Sequence, residues 1–487
     1  MYFCDICKNV LKKKLIYLFF FVIISFFVGI FVITPAVLDK DDGIAWYIKQ
    51  VVPEPIKLFI KKKFFASKPL KRDLKYAISA LDKKEENFYI LNVSKKLEQT
   101  SNKVIVSQNG TNYFSKKISL PFDASKAWKG KPTGYLEYYN DNLIIASAKG
   151  EFISIKKNFL SVKKIPIKTI PSNFSDLVKE KRIYIGGNPG IRDLLIVDDY
   201  LFVSYPKKIG NRGCLNISIM YAKMNFEFLK FSEFFSHNKC MGSFETTRSG
   251  GRLGHNNKEI FFTIGDYGIY GDSSNKPAPQ DMSNYFGKIL SIDIKSKKAK
   301  VISIGHRNQQ GLFYNKENNL LLSTEHGPDG GDELNILDLT SQKVENFGWP
   351  ISSDGKHYLN TQGREDFKEI LKSAPLHKSH KEYGFKEPLL NWTPSIGIQQ
   401  IVKVDKNFDN SFKNDFFIGA LGNNIPEGDM TIHHYRFDQE FLNTLYQDKI
   451  VVGERIRDLL YVKDLSAVFL ILENSASLNI LTKNKNY

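Results

Sequence analysis

Short runs rich in Ile, Val, Phe and Tyr, bounded by Gly, Asn or Asp, recur from about residue 76 to the C-terminus: NFYILNV, NLIIASAKGEFISI, RDLLIVDDYLFVSYP, EIFFTIGDYG, GKILSIDI, NLLLSTEHG, DFFIGALG, DLLYVKD and AVFLILEN. Runs of this kind are strand signals, and many in succession point to an all-β sandwich, barrel or propeller. A six-bladed β-propeller over residues 76–487 suits them best. Six four-stranded blades would take about 65 residues each, above the ~40–50 of the shortest propeller repeats, which leaves room for long loops. The runs share no repeat sequence, so periodicity alone does not fix the blade count. Residues 362–387 are charged and irregular and read as an insertion.

The N-terminal end reads differently. Residues 15–33, LIYLFFFVIISFFVGIFVI, are apolar apart from Tyr17 and Ser25. At ~1.5 Å per residue they nearly cross a hydrocarbon layer of ~30 Å, which predicts a transmembrane helix over residues 15–37. Lys8, Lys12, Lys13 and Lys14 precede it and Asp39, Asp41 and Asp42 follow. The positive-inside rule then puts residues 1–14 in the cytoplasm and the body outside, in the periplasm if the cell is Gram-negative. A cleaved signal peptide is the alternative, because Thr34-Pro35-Ala36 resembles a cleavage site, but the apolar run exceeds the ~7–15 residues of such a leader. Residues 38–75 form a basic stem, suited to anionic head groups or to water alike.

A net charge of +17 raises the question of nucleic acid. Residues 1–75 hold 14 Lys and Arg against 6 Asp and Glu, a surplus of 8, and the rest is spread over the body. No zinc-ligand spacing, RNP-like aromatic motif or basic helix concentrates it there, which argues against a nucleic-acid partner. Among the cysteines, Cys4 and Cys7 fall on the predicted cytoplasmic side, where C-x2-C alone is too little for zinc. Cys214 and Cys240 lie in the exported body, where either a disulfide worth about 3 kcal/mol or two buried thiols would fit.

The chemistry concentrates in residues 305–350. Arg307-Asn308 sets a planar cation beside an amide, and Glu325-His326-Gly327-Pro328-Asp329-Gly330-Gly331-Asp332-Glu333 is a glycine-rich acidic loop. Such a loop can turn backbone carbonyls toward a ligand or cation, since glycine tolerates positive φ and has no Cβ in the way.

The words HRNQQGL, EHGPDGGDELN and NFGWP in this stretch resemble the soluble quinoprotein glucose dehydrogenase / aldose sugar dehydrogenase family, also called glucose/sorbosone dehydrogenases. GGNPGIRDLLIVDDYLFVSY, SGGRLGHNNKEIFFTIGDYG, WTPSIG, FFIGAL and GERIRDL extend the likeness over most of residues 180–460. The resemblance implies a six-bladed propeller holding pyrroloquinoline quinone (PQQ) and calcium and oxidising an aldose by hydride transfer. It also implies an electron acceptor as a further partner. PQQ carries three carboxylates, for which Arg is a better planar partner than Lys. Arg307, Arg455 and Arg457 match the family's cofactor-binding arginines, with Asn308 beside the first. Arg455 and Arg457 are two apart, so in a strand they share a face; pairing of these arginines with Asp332, Glu333 or Asp458 is the structural alternative. Gly327 and Pro328 match positions whose backbone carbonyls bind calcium, an oxygen-seeking ion able to polarise a quinone.

Three positions depart from the family pattern. The histidine that opens H-x-G-G-R as general base is replaced in Arg248-Ser249-Gly250-Gly251-Arg252, and a guanidinium holds its proton until above ~12. Asp266 matches the position that would support that histidine and is expected to pair with Arg248 instead. Asn188 stands where the family tends to have glutamine, and Gly422 where a lysine would meet PQQ. His326 and His255 are the candidates for a replacement base, each also readable as a loop or surface histidine. Two functions follow: a membrane-anchored PQQ-dependent sugar dehydrogenase, or a catalytically impaired propeller binding a carbohydrate or anionic ligand.

Overall fold

The computed structural model describes residues 96–122, 134–180, 183, 190–209, 214–239, 248–268 and 277–484. The predicted anchor and stem, Asn188 and Cys240 lie outside the described residues. Among those described, no helix is long and apolar enough to cross a membrane.

Six antiparallel-based sheets make up the fold, and their first strands contact one another in turn until the circle closes. Blade 1 comprises Gly134–Tyr139, Asn142–Ser147, Phe152–Lys156 and Lys168–Ile170. Blade 2 comprises Asp193–Val197, Tyr200–Ile209, Cys214–Lys223 and Ser232–Phe235. Blade 3 runs through Gly250–His255, Glu259–Ile264, Lys288–Asp293 and Ala299–Ile304, with Glu345–Asn346 added in parallel at its edge. Blade 4 holds Gln309–Asn315, Leu320–Glu325, Asp332–Asp338 and, after a long excursion, Leu390–Trp392. Blade 5 holds Ile398–Val404, Asp415–Ala420, Thr431–Phe437 and Thr444–Val451.

Blade 6 closes the ring. Its strands Ile456–Val462, Ala467–Leu472 and Ser477–Thr482 are continued by Asn112–Ser119, Lys96–Val106 and Lys164–Pro166, with Phe114 opposite Thr482. The blades are therefore not uniformly four-stranded: blade 3 has five strands and blade 6 has six.

Each blade is packed on both faces by its neighbours, which explains why the second strands read as continuous apolar runs rather than alternating ones. Asp415–Ala420 (DFFIGA) and Ala467–Leu472 (AVFLIL) are buried at every position. Leu136, Ile145 and Ile153 of blade 1 share one apolar cluster with Phe469, Ile471 and Ile480 of blade 6. Phe202 and Ile217 of blade 2 share another with Phe262 and Leu290 of blade 3.

The centre of the ring is polar and is organised by Arg252. Gly250 and Gly251 take φ of +63° and +109°, a region open to glycine, and Arg252 follows them into the middle. Its Nη1 donates to Asp193 Oδ1 of blade 2 at 3.0 Å and to Asp458 Oδ1 of blade 6 at 2.8 Å. Nη2 donates to the Arg457 carbonyl (3.1 Å), Nε donates to the Gln310 carbonyl of blade 4 (2.5 Å), and the guanidinium lies 5.2 Å from the centre of the Tyr135 ring of blade 1. The second oxygen of each aspartate accepts a backbone N–H, from Leu253 and from Leu136. Burial alone would discourage charge on Arg252, but the two aspartates outweigh it. Two carboxylates facing one cation in a dry site cannot both ionise freely: burial lifts Asp193 to about 7 despite Arg252.

Replacing Arg252 by Met would leave two buried carboxyls without their cation. The expected loss is about 3–5 kcal/mol of unfolding free energy, read from the urea midpoint of the full-length protein. A loss below about 1 kcal/mol would show that the centre is not held this way. Because Asp193 keeps in the fold a proton that the unfolded chain releases near pH 4, its contribution to stability should fall as pH rises from about 4 to about 7.

Candidate functional site

The residues singled out in the sequence gather where the first strands of blades 3 to 6 begin. Arg307 and Asn308 immediately precede Gln309–Asn315, Arg455 precedes Ile456–Val462, and Arg248 precedes Gly250–His255. Hydrogen bonds join these starts: Gly250 N–H donates to Asn308 Oδ1 (3.2 Å), and Asp266 N–H to the Arg307 carbonyl (2.8 Å).

Arg307 is buried and held from several sides. Its backbone N–H donates to Glu325, whose other oxygen lies 2.8 Å from His306 Nδ1, while His306 Nε2 lies 2.8 Å from Ser303 Oγ. Its Nη1 donates to the His326 carbonyl (2.8 Å), Nη2 donates to the Tyr358 hydroxyl (3.2 Å), and the guanidinium lies 5.4 Å from the Trp349 ring centre. Arg307 Nε is buried with no acceptor among the described residues.

Arg455 and Arg457 reach the two oxygens of one carboxylate, Glu473, through their Nε atoms at 3.1 and 2.6 Å. Glu473, rather than Asp332, Glu333 or Asp458, is thus their acidic partner. Asp458 belongs to Arg252, and Asp332 accepts backbone N–H groups from Gly327, Ile396 and Ile398. Arg455 Nη1 also donates to the Leu421 carbonyl, and Arg457 Nη1 to Gln399 Oε1.

His326 lies between these arginines. Its Nε2 is 2.6 Å from the Ile398 carbonyl, a separation that requires the proton on that nitrogen, and Gln399 Nε2 is 2.9 Å away. Burial, reinforced by Arg307 and Arg457, pushes its pKa below the ordinary histidine value despite Asp332, so the imidazole is neutral at pH 7. His255 sits at the other end of its strand, six residues long, from Arg248 and has no part in this arrangement.

Asp266 is oriented by neutral donors. Trp349 Nε1 donates to Oδ2 (2.8 Å) and Gly268 N–H to Oδ1 (2.7 Å), while Arg248 acts on it as a neighbouring charge and packs over Gly268. Burial raises the Asp266 pKa against the pull of Arg248 and Arg307.

The Gly327–Asp332 loop is wound on itself. Gly330 and Gly331 take positive φ, and a Cβ on Gly327 would lie 2.0 Å from the Gly331 carbonyl oxygen. The Pro328 carbonyl accepts from Ser395 Oγ at 3.3 Å, which leaves it a second lone pair. At Gly422 a side chain has no room: its Cβ would stand 1.9 Å from the Asp429 carboxyl, which is buried with Oδ1 lacking a partner among the described residues. Tested against PQQ, the arginine rim and the orphaned Arg307 Nε fit a flat polycarboxylate, whereas a carboxyl stands where the family pattern would bring a lysine.

Glu473, Trp349, Tyr358 and Asp429 are the residues that sequence reasoning missed. Trp349 lies inside the quoted NFGWP, and Glu473 is the one acid closing the apolar run AVFLILEN. Gly422→Ala should destabilise the protein by about 1–3 kcal/mol, as overpacking does. Gly422→Ala combined with Asp429→Ala should recover most of that loss in a double-mutant cycle of melting curves; additive losses would mean that the two positions do not meet.

Similar folds occur among solved structures. The soluble aldose sugar dehydrogenase of Escherichia coli in its apo-form superposes with a TM-score of 0.56 at 19% identity, over 79% of this chain and 99% of that one. A calcium structure of a Trichoderma reesei family AA12 carbohydrate-active enzyme gives 0.51 at 11% identity, over 79% and 98%. In sequence, the chain is 25% identical over 258 residues to aldose sugar dehydrogenase YliI of Escherichia coli (strain K12), which is 49% of this chain and 64% of that protein. It is 29% identical over 117 residues to quinoprotein glucose dehydrogenase B of Acinetobacter calcoaceticus, 19% of this chain and 23% of that protein. The matches thus span less than two thirds of these curated relatives. Residues 138–481, nearly the whole ring, match the family described as Glucose / Sorbosone dehydrogenase, and the chain belongs to that family.

Proposed function

We propose that this protein is a quinoprotein-type oxidoreductase of aldoses or related sugars, anchored in a membrane by residues 15–37 with its propeller outside the cytoplasm. The observation that carries the enzymatic reading is the rim of Arg307, Arg455 and Arg457, with one buried guanidinium N–H still lacking an acceptor. Those arginines, with Asn308 beside them, would hold the carboxylates of PQQ, and the carbonyls of Gly327 and Pro328 would hold calcium. When bound, PQQ supplies a two-electron acceptor and calcium a Lewis acid. Glu473 keeps Arg455 and Arg457 aligned, and the Trp349 ring backs Arg307, so the rim is set before any ligand arrives.

Arg248 favours a second reading. A permanent cation cannot take a proton from a sugar hydroxyl at neutral pH, and loss of a general base typically costs 10²–10⁴-fold. A catalytically impaired propeller that binds a carbohydrate or anionic ligand on the same rim is the form that would take.

The two are separated by titrating the full-length protein with PQQ and calcium, following cofactor absorbance, and then dye reduction with a panel of aldoses. Cofactor binding with turnover is expected; binding without turnover selects the impaired form, and no binding removes the quinoprotein reading. Arg248→His should raise turnover by about 10²-fold or more with PQQ affinity unchanged. An unchanged rate with cofactor bound would mean that position 248 is not the base position. Protease added to intact cells should remove the propeller and spare residues 1–14; the reverse pattern would refute the orientation.

A further inference from the structure

We propose that Tyr358 and the uncharged stretch after it form a saccharide-binding platform at the entrance to the arginine rim. That a saccharide comes to this face rests on the sugar-oxidising reading above; the platform itself is argued from its geometry.

The platform belongs to the excursion between Asp332–Asp338 and Leu390–Trp392 of blade 4. This segment is fastened to the calcium-type loop rather than draped over it. Asp329 and Lys356 exchange two backbone hydrogen bonds, of 3.0 and 2.8 Å. The Lys378 ammonium donates to the three successive carbonyls of Ser353, Asp354 and Gly355. Asn391 Nδ2 donates to Asp354 Oδ2 at 2.7 Å, and His357 Nε2 is 2.8 Å from the Ala374 carbonyl. A surface held this way loses little conformational entropy when a ligand settles on it.

Tyr358 is tethered by its tip. Its hydroxyl accepts from Arg307 Nη2 at 3.2 Å, yet the residue is 36% exposed, so an aromatic surface stands open beside the rim. Leu359 next to it is 80% exposed. From His357 to Gly363 the chain carries Tyr, Leu, Asn, Thr and Gln and no acidic or basic side chain apart from the histidine, in a protein that is 25% charged. A sugar ring has an apolar C–H face and a hydroxyl edge. It is matched by an aromatic face with amides and a hydroxyl around it, and poorly by ion pairs or a purely greasy pocket.

Two substitutions separate the ring from its tether. Tyr358→Phe and Tyr358→Ser both lose the bond to Arg307, but only the second loses the aromatic face. Binding of maltose and glucose to the full-length protein, without added PQQ, is followed by saturation-transfer NMR. Tyr358→Ser should weaken maltose binding about tenfold, Tyr358→Phe should stay within about twofold, and Leu359→Ser should weaken it severalfold. Equal effects of Phe and Ser at position 358, or none from any of the three, would overturn the platform. Wild-type protein that takes up PQQ but neither sugar would refute the platform and leave the cofactor reading standing. Protein that binds sugar through Tyr358 but takes up no PQQ would do the opposite.

Discussion

A single buried guanidinium holds the centre of this ring. Arg252 starts in blade 3 and touches groups from blades 1, 2, 4 and 6, so it fixes spacings that the apolar packing between adjacent blades leaves to pairwise contact. An ion pair in a dry place is a poor source of net stability, since the desolvation cost rivals the attraction. Its value lies in geometry. A planar donor with hydrogens at fixed angles accepts only one arrangement of the strands around it, and both aspartates are locked in turn by backbone N–H groups.

The site inherits that geometry. Arg457 gives its carbonyl to Arg252 and its side chain to Glu473, so the residue at the edge of the rim is also a wall of the centre. Gln310, whose carbonyl receives Arg252 Nε, lies two residues past Asn308 and donates to its side chain. Rim and centre are consecutive layers of one hydrogen-bonded structure.

Much of the fold was legible because each blade's second strand is packed on both sides and carries an apolar run, such as IFF in Glu259–Ile264 and all of AVFLIL. The make-up of blade 6 was not. Lys96–Val106, KLEQTSNKVIV, carries no clear pattern, and its place is decided by partners at the far end of the chain. In the site, the period of two placed Arg455 and Arg457 on one carboxylate, but which carboxylate depends on the neighbouring strand. The departure at Gly422 was visible as a missing side chain; that Asp429 fills the space could be seen only in three dimensions.

The closure of blade 6 bears on how the molecule comes into being. Ser115 and Asn479 bond to each other although they lie 364 positions apart, and the strand that carries Ser115 pairs from Phe114 to Ser119 with Ser477–Thr482. A nascent chain can stack blades 1 to 5 as they emerge, but the early strand, paired with Lys96–Val106 on one side, has no partner on its other edge until Ser477–Thr482 has been made. Until then its hydrogen-bonding edge is open, the condition under which strands pair wrongly or aggregate. Before Ser477–Thr482 arrives the ring is an open arc with one sticky edge, and that is the interval in which this protein most needs a chaperone.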